Sequence, residues 1–142
     1  MVTTSITSIM RFDSLNWEQI ERQLRQLQDE EEQGEQDKSR NLYCANCGRL
    51  ITAQDQRIPV RGTHEHSFRN PHGLLFHIGC FATAPGCGQL GEATEEWTWF
   101  PGYRWQVALC ISCGVHLGWR YHSRTGDLFY GLILNRLSAR HS

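Results

Sequence analysis

Residues 99–121 have the sequence WFPGYRWQVALCISCGVHLGWRY, and this stretch determines most of what we predict about the fold. It carries the motif CISCG at residues 110–114, with two tryptophans before the motif and one after it. A second motif of the same form, CANCG at residues 44–48, lies 62 residues upstream, counted between the two cysteine pairs. Two such motifs this far apart predict a site that joins distant parts of one domain.

The four motif cysteines have the spacing of metal ligands. A Cys-x-x-Cys turn directs both sulfurs toward one point, and the following glycine can adopt the left-handed conformation that closes the turn. Together, Cys44, Cys47, Cys110 and Cys113 supply the complete tetrahedral shell of a structural zinc ion. We therefore predict one structural Zn²⁺ as in larger zinc-ribbon-like β folds, with no open position for chemistry. An iron–sulfur cluster, a rubredoxin-type iron or disulfides are the alternatives for these four residues.

Composition narrows the class of protein. Of the 142 residues, 39% are hydrophobic and 20% are charged, and no apolar run approaches the roughly 18 residues that a membrane helix needs. The first twelve residues, MVTTSITSIMRF, lack the features of a signal peptide, so we expect a cytoplasmic protein with reduced thiols. Residues 41–142 contain nine basic and six acidic residues, too weak an excess for nucleic-acid binding. We predict neither a nucleic-acid nor a membrane partner.

The chain divides by pattern into residues 1–40 and residues 41–142. In the first part, Trp17, Ile20, Leu24 and Leu27 recur at helical spacing, which predicts a partly helical extension. It could be a docking or self-association helix, or a helix packed on its own domain or frayed in solution. The second part alternates turn residues with short β-prone runs, which predicts a mainly β domain built from antiparallel strands. The predicted runs are Gly73–Ile78, Trp97–Phe100, Tyr103–Leu109, Leu117–His122 and Leu128–Leu134.

Two further cysteines lie outside the motifs. Cys80, in FHIGCF, is predicted to be a small buried residue. Cys87, in APGCGQL, lies in a glycine-rich segment where we expect a loop and an exposed thiol. A redox pair between the two is the alternative.

Four of the five tryptophans fall between positions 97 and 119. On a strand, Trp119 and Tyr121 share one face because they are two residues apart. A three-residue loop from Pro101 to Tyr103 would set Trp99 directly opposite Trp105 in a hairpin. Core packing could explain one or two of these rings, but three indoles around one turn are typical of an aromatic box for a flat ring or a cation.

The motifs together resemble a known family. The stretch at 99–121, with NPHG at 70–73 before it and FYGL at 129–132 after it, is similar to the CULT domain family, that of the thalidomide-binding domain of cereblon. The resemblance covers residues 43–134 and includes both cysteine motifs in order. It does not cover the first forty residues.

The resemblance implies two antiparallel sheets, set roughly at right angles and held by one zinc ion on the four motif cysteines. It implies a pocket formed by Trp99, Trp105 and Trp119, with Tyr121 at its floor and with Asn70 and Pro71 beside its mouth. Backbone groups of Trp97 and Trp99 would bind the ligand's polar edge. The implied ligands are cyclic imides, namely glutarimide, succinimide and thalidomide-like compounds, or a C-terminal cyclic imide on a protein; uracil-like rings are the related class.

Two departures from the family pattern qualify this expectation. Trp97 occupies the position of a histidine whose side chain contacts the imide, so affinity and ligand preference are expected to differ. The length leaves no room for the domain that engages a ubiquitin ligase, so we expect a stand-alone, bacterial-type member without an adaptor role.

Three other functions compete with imide binding. A methionine sulfoxide reductase of the B type has a similar scaffold, but no cysteine follows Cys113 to act as its nucleophile. Imide hydrolysis would need catalytic histidines, and the candidates are His64, His66, His72 and His77. We expect these four to be surface and loop residues. A methyl-ammonium reader would use Glu95 or Glu96 beside the aromatic box.

Overall fold

The computed structural model describes residues 17–26 and 40–140. The chain divides after Lys38 into two units. In the first unit, residues 17–26 are helical, with the side chains of Trp17 and Leu24 exposed. Leu27 lies outside the described residues, as do all other residues of 1–16 and 27–39 in the predicted extension.

Within residues 40–140, nine strands form two antiparallel sheets, and both the mainly β class and the two sheets agree with the prediction. The strands are β1 Asn41–Cys44, β2 Leu50–Ala53, β3 Glu65–Arg69, β4 Leu75–Phe81, β5 Cys87–Thr94, β6 Tyr103–Cys110, β7 His116–Ser123, β8 Leu128–Ile133 and β9 Leu137–Ser138. Short 3-10 helices, Gln54–Gln56 and Leu134–Arg136, follow β2 and β8. The smaller sheet has the order β2-β1-β9 and the larger one the order β3-β4-β8-β7-β6-β5.

The larger sheet separates two apolar cores. Because successive side chains point to opposite faces of a strand, Leu132 packs on one side while Ile133 packs on the other. The first core holds Cys44 and Ile51 of the smaller sheet and the buried cysteines of β5 and β6. The second core is aromatic and is centred on Phe100, Tyr121 and Phe129. The cysteine motifs and the tryptophans are thus associated with different cores.

One predicted strand and one predicted register are wrong. Residues 97–100 form no strand; they belong to the connection between β5 and β6. Thr94, not Trp99, lies opposite Trp105, and the β5–β6 pairing is irregular between Leu90 and Thr94. The short Pro-Gly turn does not pair residues 97–100 with β6, because the partner of β6 is the glycine-rich segment before Glu95.

Candidate functional site

The four motif cysteines come together where the two sheets meet. Cys44 ends β1 of the smaller sheet and Cys110 ends β6 of the larger one. Each begins a turn closed by a glycine with positive φ, Gly48 (81°) and Gly114 (78°), whose N–H donates to the carbonyl of the first cysteine at 2.8 Å. The two turns are therefore equivalent in geometry, which agrees with the predicted role of the glycines.

The sulfurs fit a tetrahedral metal ion. All four Sγ atoms lie within 4.8 Å of one another. The Sγ atoms of Cys44 and Cys113 are 3.7 Å apart, and those of Cys47 and Cys110 are 3.5 Å apart. Ligands at about 2.3 Å from a tetrahedral zinc lie about 3.8 Å apart, so this cluster could hold the ion with little movement.

The protein environment distinguishes the four thiols. Burial raises the pKa of Cys44. In contrast, a hydrogen bond from the Asn46 side chain lowers the pKa of the exposed Cys113 to about 6. Metal binding requires deprotonated sulfur, and the hydrogen bond from Asn46 favours that form at Cys113.

The two remaining cysteines are both buried. This agrees with the prediction for Cys80, whereas the exposed loop predicted for Cys87 is wrong, because Cys87 begins β5 directly opposite Cys110. Burial raises the pKa of each thiol to about 12. Strands β4 and β5, which carry them, are four places apart in the sheet, or about 19 Å at 4.8 Å a strand, which excludes a redox pair between them.

An aromatic cluster covers one face of the larger sheet. The rings of Trp99 and Trp119 meet nearly at right angles, with centroids 4.7 Å apart and an interplanar angle of 71°. Phe68 stacks on Trp99 at 4.9 Å, and Phe76 meets Trp119 edge to face at 5.3 Å. Neither phenylalanine is among the site residues predicted from the sequence, although each lies in a short alternating run and the two are directly opposite each other on β3 and β4.

Trp105 and Tyr121 lie directly opposite each other on β6 and β7, and therefore on the same face as Trp119. Tyr121 is only 2% exposed and stacks on Phe129 at 4.9 Å, below the partly buried tryptophans. The three predicted tryptophans and the predicted floor residue thus share one sheet face.

Two indole N–H groups hold neighbouring segments in place. Trp99 Nε1 donates to the carbonyl of Arg69 at 3.2 Å, which links the connection between β5 and β6 to the end of β3. Trp105 Nε1 donates to the carbonyl of Glu96 at 2.7 Å. These bonds satisfy the polar edges of both rings and leave their apolar surfaces to line the cluster.

Trp97 is 68% exposed, unlike the other tryptophans of this cluster. It occupies the third position of a turn closed by a hydrogen bond of 3.1 Å from Thr98 N–H to the Glu95 carbonyl. Its φ of 57° lies in the left-handed region that this type of turn normally fills with glycine. Neither its backbone nor that of Trp99 takes part in a backbone hydrogen bond within the described residues.

Asn70 stabilises the turn between β3 and β4. Its Oδ1 accepts hydrogen bonds from the backbone N–H of His72 at 3.0 Å and of Leu74 at 2.9 Å. Pro71 is exposed on the same turn. The turn lies next to the carbonyl that binds Trp99, so it supports the aromatic cluster from outside.

The predicted histidine group does not converge on the cluster as a set. His72 and His77 are exposed, in keeping with the prediction, but His64 and His66 are half-buried and hydrogen-bond to backbone carbonyls. A histidine that we did not single out lies closer to the tryptophans. The ring of His116 meets Trp119 edge to face at 4.9 Å, and burial lowers its pKa.

The chain is similar in sequence to cereblon from several animals. The chain is 33% identical to Gallus gallus cereblon over 78 residues, covering 52% of this chain and 18% of that protein. It is 32% identical to Danio rerio cereblon over 108 residues (71% and 25%) and 45% identical to Drosophila willistoni cereblon over 96 residues (65% and 15%). The chain therefore spans about a quarter or less of the length of these relatives.

No protein-family model matches the chain. In residues 17–26 and 40–140, no helix has both the length and the apolar character needed to cross a bilayer.

Proposed function

Since this chain is a relative of cereblon with the features of the CULT domain family, we propose that it is a binding protein for cyclic imides or uracil-like rings. Glutarimide, succinimide and thalidomide-like compounds are the proposed ligands. The aromatic cluster fits a CULT-type binding domain, and the ligand class is our inference from its chemistry.

The observation that carries the proposal is the perpendicular pair of Trp99 and Trp119, with Trp105 on the same face. Flat faces at right angles offer contact to both a face and an edge of a small ring. The backbone groups of Trp97 and Trp99, beside this corner, are free of backbone hydrogen bonds among the described residues.

A cyclic imide matches both parts of this arrangement. Its carbonyl, N–H and second carbonyl present acceptor, donor and acceptor along one edge, while the rest of the ring is apolar. The backbone of Trp97 and Trp99 would pair with the polar edge, and the indoles would enclose the apolar body. A buried N–H left without a partner costs about 1–3 kcal/mol, so a methyl group on the imide nitrogen should be strongly unfavourable.

A neutral ring suits the surrounding charges better than a quaternary ammonium does. Glu95, one of the two carboxylates near the turn, already lies 3.8 Å from Arg104 and 3.6 Å from Arg124. Its negative charge is therefore partly offset, which weakens the attraction for a methylated amine.

We assign the metal site a structural role with zinc as the ion. Four thiolates form a closed shell, with no position left for water or substrate. When bound, the ion would tie β1 to β6 through Cys44 and Cys110, and hence the two sheets to each other. Nothing in this role requires turnover, and we propose that the CULT-like imide site binds its ligand without catalysing a reaction.

The proposed partners are a free cyclic imide, a uracil-like ring or a cyclic imide at the C-terminus of a protein. A sulfoxide reductase of the B type is disfavoured because each of the six cysteines either belongs to the metal cluster or is buried. That the chain has no ubiquitin-ligase partner, and that it is cytoplasmic, stay predictions.

The direct test is a titration of the full chain with succinimide, glutarimide and uracil, followed by tryptophan fluorescence. N-methylsuccinimide is the matched control, and tetramethylammonium tests the competing cation hypothesis. We expect saturable changes with the imides and none with the N-methyl compound. Equal responses to succinimide and N-methylsuccinimide, or no response at millimolar concentration, would contradict the proposal.

A further inference from the structure

A hydrogen-bonded chain of serine, histidine and glutamate lies on the hairpin of β3 and β4. Ser67 Oγ is 2.7 Å from His77 Nδ1, and His77 Nε2 is 2.8 Å from Glu65 Oε1. Ser67 and His77 are directly opposite each other in the register, and Glu65 is two residues before Ser67 on the same face. Nucleophile, base and orienting carboxylate are thus in the order that activates a serine hydroxyl.

The carboxylate selects between the two tautomers of a neutral imidazole. A hydrogen bond from His77 lowers the pKa of Glu65, which is therefore an ionised acceptor at neutral pH. In the neutral imidazole, the proton on Nε2 donates to Glu65, and the lone pair on Nδ1 then faces the Ser67 hydroxyl. This is the tautomer that a general base for Ser67 must have.

The backbone N–H of Ser67 lies on the unpaired edge of β3. Hydrogen bonds from Cys80 N–H to the His64 carbonyl and from Asn70 N–H to the Leu74 carbonyl identify the bonded pairs of the β3–β4 ladder. By alternation, the pair of Ser67 and His77 is a non-bonded one, so the Ser67 N–H points away from β4. Because β3 is the terminal strand of the sheet, this N–H can stabilise a developing oxyanion.

The side chains of Ser67, His77 and Glu65 lie on the opposite face of the larger sheet from the aromatic cluster. Phe68, the neighbour of Ser67, points to the other side of the sheet, where it stacks on Trp99. On the Ser67 side, Glu65 borders a cavity of about 210 Å³ whose lining is both polar and apolar and includes Arg57, His64, Phe81 and Leu134. Ser67 and His77 lie outside this lining. A ring held by the tryptophans could not reach Ser67, so any chemistry here is independent of the proposed imide site.

We propose that Ser67, His77 and Glu65 form a second site, which hydrolyses small carboxylic esters. Ser67 Oγ attacks the carbonyl carbon while its proton passes to His77 Nδ1. The bond to the leaving alkoxide breaks, the alkoxide takes that proton, and an acyl-Ser67 ester remains. Water then attacks the carbonyl carbon of this ester and gives a proton to His77 Nδ1. The bond from the acyl carbon to Ser67 Oγ breaks, His77 returns the proton to Ser67 Oγ, and the carboxylic acid leaves. Ser67 and His77 are the catalytic residues, and Glu65 is a positioning residue.

The experiment uses the full 142-residue chain with p-nitrophenyl acetate as substrate and a fluorophosphonate as covalent probe. The probe forms a bond from Ser67 Oγ to phosphorus, releasing fluoride and a proton. We expect the adduct on the peptide containing Ser67, and about a hundredfold loss of ester hydrolysis in Ser67→Ala and in His77→Gln, the usual scale for general-base catalysis. All three positions are exposed, so the variants are expected to fold, which near-UV circular dichroism checks.

Two comparisons isolate the proposed roles. His72→Gln removes an exposed imidazole that does not belong to the Ser67–His77–Glu65 triplet and controls for unspecific imidazole catalysis. The rate of this variant should stay within about twofold of the wild-type rate. Glu65→Gln should lower the rate because an amide can donate to Nε2 and leave the proton on Nδ1, whereas Glu65→Asp should restore part of it. An unlabelled Ser67, or rates in Ser67→Ala and His77→Gln equal to that of His72→Gln, would overturn the proposal.

Discussion

The indole N–H of Trp105 donates a 2.7 Å hydrogen bond to the backbone carbonyl of Glu96, so a residue of β6 holds the turn that presents Trp97. Thr94, opposite Trp105 in the ladder, contributes a second anchor, since its Oγ1 accepts from the Glu96 N–H at 3.1 Å. The turn at the rim of the proposed pocket is therefore held in place by hydrogen bonds to Trp105, one of the pocket's rings, and to Thr94.

This connection predicts that Trp105→Phe weakens imide binding while leaving the fold intact. Phenylalanine keeps an aromatic surface but loses the donor to Glu96, and a hydrogen bond of this kind contributes about 0.5–1.5 kcal/mol. We expect an affinity loss of about two- to tenfold by isothermal titration calorimetry, with unchanged zinc content. Trp17→Phe, outside this domain, is the matched control. Wild-type affinity in Trp105→Phe would mean that the bond does not organise the ligand site.

The left-handed backbone of Trp97 predicts an unusual stability effect. A residue with a Cβ atom costs about 1–2 kcal/mol in this conformation, and glycine avoids most of that cost. We therefore expect Trp97→Gly to unfold at higher urea concentration than Trp97→Ala, although both lack the exposed indole. The pair separates the backbone effect from the loss of the side chain. A glycine variant less stable than the alanine variant would show that φ is not strained at this turn.

Asn70 offers a test of whether its side chain serves the turn or the ligand. Asn70→Ala removes the acceptor for two backbone N–H groups, and we expect a loss of about 1 kcal/mol in the free energy of unfolding together with weaker imide binding. Asn70→Asp keeps the acceptor oxygens and lacks the amide N–H. If the residue acts by capping the turn, chemical denaturation and calorimetry should find Asn70→Asp close to wild type. A fully folded Asn70→Asp that has lost binding would instead indicate direct amide contact with the ligand.

Metal removal should unfold the β domain. Structural zinc contributes on the order of 10 kcal/mol, as much as the entire stability of a typical domain. We expect a chelator to abolish the near-UV circular dichroism signal and added Zn²⁺ to restore it, and Cys110→Ser should behave like the metal-free protein. Cys80→Ala, a buried cysteine outside the cluster, is the control and should keep its zinc. A native spectrum in zinc-free protein would refute the structural role.

His116 predicts the sign of a pH effect near the pocket. Burial lowers its pKa below the ordinary value of about 6.5, so the unfolded chain binds more protons than the folded one in the interval between the two values. Its contribution to stability is therefore complete above about pH 6.5 and decreases as the pH falls toward the folded pKa. Urea unfolding of wild type and His116→Gln in excess Zn²⁺ should give a steeper loss of stability for wild type between pH 6.5 and 5. Parallel curves for the two proteins would contradict this assignment.

Much of the scaffold follows from local sequence. The two cysteine motifs specify their own turns, because spacing and a following glycine are sufficient to direct both sulfurs of a pair to one side. Strands β6, β7 and β8 follow from β-branched and aromatic runs bounded by turn residues. Spacing by two also places Trp119 and Tyr121 on one face whatever the partner strands are.

Other features depend on pairing between distant segments. Strand β5 has a weak strand signal of its own, with glycines and polar residues, and it forms because β6 offers an edge to pair with. That pairing makes Trp99 part of a folded connection instead of a hairpin strand, and it buries Cys87.

The sequence by itself therefore determined the antiparallel β class, the four cysteines that come together and the tryptophans of the aromatic cluster, since each depends on spacing over a few residues. Only the tertiary structure decided that Trp99 meets Trp119 at a right angle, that Trp97 occupies a left-handed turn, and that Ser67 faces His77. Such contacts depend on strand register, and a shift by one residue would turn each side chain to the other face of the sheet.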